Sequence, residues 1–140
     1  MDITQLPFNE FIGIEREPRE GFLLRLPASA RYTNHLGTVH ASALMALAEA
    51  SSGEILIRSL ESLGASIIPV VRRFECKFRK PASGAISSKD ALTDEALTAL
   101  KQSIQQKGRG SIEVPVDVYN ESGTHVLSCT VEWFIARQDE

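Results

Sequence analysis

The sequence is short of the residues that would mark several whole classes of protein. Its two cysteines, Cys76 and Cys129, lie too far apart for a Cys-x-x-Cys redox or zinc pair, and are too few for a disulfide-stapled secreted domain. Both read as buried thiols. Three histidines, with no His/Cys/carboxylate cluster at ligand spacing, give no basis for a metal site. Charge of one sign is also scarce: 15 Lys+Arg against 18 Asp+Glu leave a net charge of −3, which argues against a nucleic-acid binder drawn by bulk charge. No window reaches the roughly 18 consecutive apolar residues of a membrane span. Met1 to Glu10 has neither a positive leader nor an apolar core, which predicts a cytoplasmic protein. A Gly-x-Ser-x-Gly elbow and a phosphate-binding loop are both missing, so serine-hydrolase and nucleotide-hydrolysing chemistries lack support.

What is present is ordinary for a globular chain. The 140 residues are 43% hydrophobic and 24% charged, which predicts one domain over residues 1–140. A chain of this size buries roughly 68–70% of its unfolded surface, enough for a core without staples.

The longest helical pattern runs from Ala41 to Leu60, rich in Ala, Leu and Met and free of proline. From Ala41 to Ala50 only Ser42 and Glu49 interrupt its apolar character, so this helix is expected to be buried and wrapped by a sheet. A short helix over Pro7–Ile12 precedes extended segments at Gly13–Glu17 and Phe22–Leu26. Ile67–Val71 continues into Phe74, Cys76 and Phe78 alternating with Arg73, Glu75, Lys77 and Arg79, a strand with one wet face. Ala85–Leu92 reads as another strand. Thr93 caps a second, surface helix near residues 94–107 that Gly108 stops. Ser111–Tyr119 and Val126–Ile135 form a hairpin, with Pro115 predicting an edge position or a bulge. The order reads as α+β with a mostly antiparallel sheet.

Chemistry concentrates between Asn34 and Glu49. The start of the long helix offers unpaired backbone N–H groups and a partial positive charge, suited to an anion or a polarised carbonyl oxygen, with His40 and Ala41 placed there. Glu49 sits among Leu47, Ala48 and Ala50, where desolvation raises a carboxyl pKa towards that of a general base working near neutrality. Nine helical steps put His40 and Glu49 roughly 13–14 Å apart along the axis and on nearly opposite faces, so one helix cannot bring both to one substrate. Ser42, Ala46, Glu49, Ala50 and Gly53 form a small-residue stripe. Two such helices packed antiparallel across a two-fold axis would face each Glu49 with the other subunit's helix start, giving a composite site repeated twice per dimer.

The motif Asn34-x-x-Gly37-Thr38-x-His40, with an acidic residue nine positions after the histidine, resembles the signature of hotdog-fold acyl-CoA thioesterases of the phenylacetate-pathway type. The likeness extends over about Phe8 to Ala136. It implies an antiparallel sheet wrapped around a central helix, sheets joined edge to edge in a homodimer or homotetramer, and a thioester lying between subunits. By the same resemblance the Ala41 N–H binds the thioester oxygen, Asn34 and His40 orient the group or water, and Glu49 of the partner acts as base or nucleophile. Gly37 and Ser42 shape the substrate-binding loop, while the basic run Arg72, Arg73, Lys77, Arg79 and Lys80 offers candidates for the phosphates of coenzyme A, with Lys107 and Arg109 equally available, against the simpler reading of a solvated strand face. Three departures stand out: Ala41-Ser42 replaces the family's usual two glycines, Glu49 stands where Asp is common, and Val70 or Val71 replaces a supporting hydroxyl. The helix at 94–107 is extra to the minimal fold. The expectation is hydrolysis of an acyl-CoA or related thioester, with no cofactor beyond the coenzyme A of the substrate and with no nucleic-acid or membrane partner. A non-catalytic acyl-CoA or hydrophobic-ligand binder is the alternative, and an acyl-carrier dehydratase ranks below both.

Overall fold

The computed structural model describes residues 1–63 and 66–138. Its elements are α1 (Pro7–Ile12), β1 (Glu15–Arg16), β2 (Leu24–Leu26), α2 (Ala41–Leu60), β3 (Ile67–Phe78), β4 (Ile86–Asp90), α3 (Asp94–Lys107), β5 (Arg109–Asn120) and β6 (His125–Arg137). The strands form one six-stranded sheet in the order β1-β2-β4-β5-β6-β3, antiparallel at every pairing. The long helix packs chiefly on β4, β5, β6 and β2. This is the α+β, hotdog-like arrangement, a sheet curled around a central helix. Among the described residues no helix is long and apolar enough to cross a membrane.

The apolar segments fold where their periodicity places them. Val114, Val116 and Val118 of β5 and Leu127, Val131 and Ile135 of β6 are completely buried on the face that meets α2. Across from them Leu47 and Ala48 are equally inaccessible, so α2 closes the core. Leu47→Ala is expected to cost about 2–5 kcal/mol, because the surrounding sheet cannot collapse into the space. Urea unfolding should show a lower midpoint at an unchanged slope. On α3, the side chain of Thr93 accepts the Ala96 N–H at the start, and Leu100 and Ile104 are the buried stripe.

Three expectations change in detail. The early extended segments yield strands of only two and three residues, since β2 has just two residues in register with β4. β4 stops at Asp90, whose Oδ1 accepts the Leu92 N–H at 2.7 Å and turns the chain towards the α3 cap. Pro115 occupies neither an edge strand nor a bulge: β5 lies between β4 and β6. Its carbonyl accepts the Ala91 N–H just beyond the last β4 pair, Asp90↔Val116, so its ring nitrogen faces the end of that ladder, where no donor is needed.

β3 is the outer strand on one side of the sheet, and it is kinked. Val71 pairs with Trp133 and Arg73 with Glu132, leaving Arg72 as an extra residue. The bulge shifts the alternation, so Pro69 and Val71 before it and Phe74, Cys76 and Phe78 after it all face the α2 side, opposite buried residues of β6. Phe78 nevertheless remains 49% exposed, because the chain itself does not cover this end of β3.

Candidate functional site

The loop before α2 is built by Asn34. Its Oδ1 accepts the N–H groups of Leu36 (2.9 Å) and Thr38 (3.1 Å), and its Nδ2 donates to Thr38 Oγ1 (2.9 Å). The side chain is thus occupied in closing its own loop, with Gly37 supplying the left-handed turn at φ 77°. His40 follows as the helix cap. Its backbone N–H donates to Tyr32 O at 2.7 Å, and its Nδ1 accepts the Ser42 N–H at 2.9 Å, which places the proton of a neutral ring on Nε2. Ser42 has therefore spent its backbone donor. The N–H of Ala41, the first residue of α2, has no protein acceptor among the described residues.

Ala41 lines a pocket of about 340 Å³ between the loop, the start of α2 and the end of β3. Asn34, Ala41, Leu44, Phe78, Arg79 and Lys80 are among its walls. The structure thus brings Asn34 and Ala41 together, with Arg79 and Lys80 on the same pocket wall and Arg79 Nε donating to Ser128 Oγ at 2.7 Å. The other basic candidates lie elsewhere. Arg73 and Lys77 point to the outer face of β3, where Arg73 Nη2 donates to Glu75 Oε1 at 3.2 Å, and Arg72 lies over the Phe134 ring at 5.8 Å. Gly37 lines a separate small pocket beside Tyr32 and Ser83.

Glu49 lies more than two helical turns from Ala41 and does not border that pocket. It is half-buried, with no hydrogen bond or ion pair to its carboxylate among the described residues, and burial raises its pKa above the ordinary 4.5. Five residues on, Glu54 shows the contrast. This carboxylate is almost fully buried but accepts from Arg16 Nη1 and Arg58 Nε, each at 2.8 Å. Sequence reading passed over Glu54, although Arg58 four residues later on the same helix face was a signal for the pair. Cys76 and Cys129 face each other with sulfurs 3.1 Å apart, and burial raises both thiol pKa values, so neither is an activated nucleophile.

Several solved structures share this fold. A probable thioesterase from Pseudomonas aeruginosa is 24% identical with a TM-score of 0.81, covering 97% of this chain and 91% of its own. A Bacillus halodurans protein solved with CoA is 22% identical (TM-score 0.68; 91% of this chain, 74% of the other). A thioesterase enzyme from Staphylococcus aureus, solved as a mutant, is 11% identical (TM-score 0.67; 94% and 99%). No curated protein matches the sequence. The family described as a domain of unknown function, DUF4442, matches residues 17–135. With that match covering most of the chain, and with a sheet curled around α2 as in the thioesterase structures, the protein belongs to the DUF4442 family of hotdog-fold proteins.

Proposed function

We propose that the protein is a homodimeric acyl-CoA thioesterase, built on the pattern of the phenylacetate-pathway-type enzymes it resembles. The observation that carries this reading is Glu49, a desolvated carboxylate with no partner among the described residues, on a helix whose buried Glu54 is met by Arg16 and Arg58. Stability alone gives no reason to keep such a group. The only partly covered α2-facing side of β3, with Phe78 exposed at its end, and the position of β3 at the edge of the sheet support a two-fold pairing through β3. In that dimer Glu49 of one subunit meets the Ala41 N–H of the other.

The chemistry then follows. Glu49 takes a proton from water as the new C–O bond forms at the thioester carbon, and the Ala41 N–H holds the oxyanion. The C–S bond breaks as the carbonyl re-forms, and the proton passes from Glu49 to the thiolate. The products are a carboxylic acid and a free thiol. Arg79 and Lys80, on the wall of the pocket, are the cations placed to meet the phosphates of coenzyme A.

The test is thiol release from a panel of acyl-CoA substrates by the purified dimer. Release of thiol at enzymatic rates supports the reading, and an active monomer would sink the composite site. Activity should rise with pH through a midpoint above 4.5, because the base works ionised and burial raises its pKa. One observation favours a second reading: with Ser42 committed to His40, the helix start offers a single oxyanion donor. Tight acyl-CoA binding without thiol release over hours would mark a binder instead.

A further inference from the structure

A second pocket of about 340 Å³ lies at the other end of α2, away from Ala41. Its walls include Ile3 and Leu6 of the N-terminal segment, Gly53 and Leu56 of α2, Pro69 of β3 and Trp133 of β6. The only nitrogen or oxygen on any of these side chains is the indole nitrogen of Trp133, and its N–H donates to Ser52 Oγ at 2.9 Å. The side chains that line the pocket are therefore predominantly apolar. It also has a defined position relative to the site. Gly53 and Leu56 are four and seven residues beyond Glu49, which places all three on one face of the helix, with Leu56 about 10 Å further along the axis.

The N-terminal segment is held in place as the pocket's floor. Asn9, itself buried, donates from Nδ2 to Ile3 O at 2.9 Å, and Asp2 caps the short turn at Ile3–Gln5 by accepting the Thr4 N–H. Arg16 ties that segment to α2, donating from Nη2 to Asp2 at 3.0 Å and from Nη1 to Glu54 at 2.8 Å. Gly53 keeps the space open: a Cβ there would sit 3.3 Å from Ile3 Cδ1 and 3.7 Å from Trp133 Cζ2.

From this geometry we infer that the pocket receives the aliphatic acyl chain of the thioester, and that Ile3 and Gly53 set the longest chain accepted. The inference rests on the thioesterase reading for the position of the reacting carbon. Volume selects the chemical class: a cavity of about 150 Å³ accommodates benzene, so a pocket more than twice that size is poorly filled by a single aromatic ring and well filled by a multi-carbon chain. Each methylene taken out of water there is worth about fourfold in affinity.

The experiment uses two readouts on the full-length protein, Ile3→Ala and Gly53→Ala. The first is kcat/KM for thiol release across butanoyl-, octanoyl-, dodecanoyl- and hexadecanoyl-CoA. The second is calorimetric binding of the matching S-alkyl-CoA thioethers, which cannot be hydrolysed. The parent protein should gain affinity by about fourfold per methylene up to a cutoff length. Ile3→Ala should move that cutoff to longer chains and Gly53→Ala to shorter ones, opposite shifts that general loosening of the fold would not produce. Hydrolysis with one length profile in all three proteins overturns the acyl pocket and leaves the thioesterase reading intact. Opposite shifts in thioether binding with no thiol release overturn hydrolysis and leave the pocket intact.

Discussion

Replacing Glu49 by Gln is expected to lower acyl-CoA hydrolysis by about 10²–10⁴-fold, the range that a positioned general base contributes. The substitution keeps the shape of the side chain and removes only its ability to accept a proton, so the loss should fall on kcat. Stability should move the other way. Burial raises the Glu49 pKa above 4.5, so the folded state favours the protonated form. Its contribution is fully present below the ordinary carboxylate range and is lost as pH rises through the folded value. Ionising Glu49 therefore costs stability as pH rises, and Glu49→Gln should melt at or above the parent temperature once the carboxyl is ionised, with the advantage vanishing in acid. Parallel measurements of thiol release and thermal unfolding check both halves. Parent-like turnover in Glu49→Gln would remove the residue from the mechanism.

The second large effect comes from Ala41→Pro. A backbone donor is normally beyond reach of mutation, but Ala41 is the first residue of α2, where proline is favoured and its missing N–H breaks no helical hydrogen bond. The preceding residue is compatible too: His40 has φ −63° and ψ 139°, the extended conformation that precedes proline. The His40 cap on Ser42 is untouched. Ala41→Pro thus deletes the proposed oxyanion donor alone, and about 10²–10³-fold in rate should be lost with little change in unfolding temperature. Mixing unfolded Ala41→Pro and Glu49→Gln chains in equal amounts and refolding them then tests the composite site. Half of the dimers are mixed and each mixed dimer holds one intact site, so about a quarter of parent activity should return. If donor and base belonged to one chain, mixing would restore nothing.

Local patterning accounts for most of the fold. The apolar run of α2, the capped amphipathic α3 and the alternating β5 and β6 all lie where their periodicities put them, because each signal is a property of neighbouring residues. The bulge at Arg72 was not legible: an extra residue exists only relative to the β6 partner against which it is counted. Pro115 was misplaced for a similar reason. Proline signals a missing ladder donor, but an unneeded donor is found at the end of a short neighbour as well as at a sheet edge. In the site, the motif led to Asn34, His40 and Ala41, whereas hydrogen-bonding geometry separated their tasks. Asn34 closes the loop, His40 caps the helix, and the Ala41 N–H has no acceptor among the described residues.

The scarcity of cysteine, one-signed charge and long apolar runs directed attention to a single buried helix, and the sequence alone was enough to mark Glu49 as its anomalous residue. Only the tertiary structure decided that Glu49 has no partner among the described residues while Glu54 has two, and that of the basic run Arg79 and Lys80, rather than Arg73 and Lys77, share a pocket with Ala41. The reason is physical. Helical period and hydrophobicity depend on neighbours in the chain, whereas pairing and desolvation depend on residues such as Arg16, 38 positions from Glu54, that only folding brings within reach.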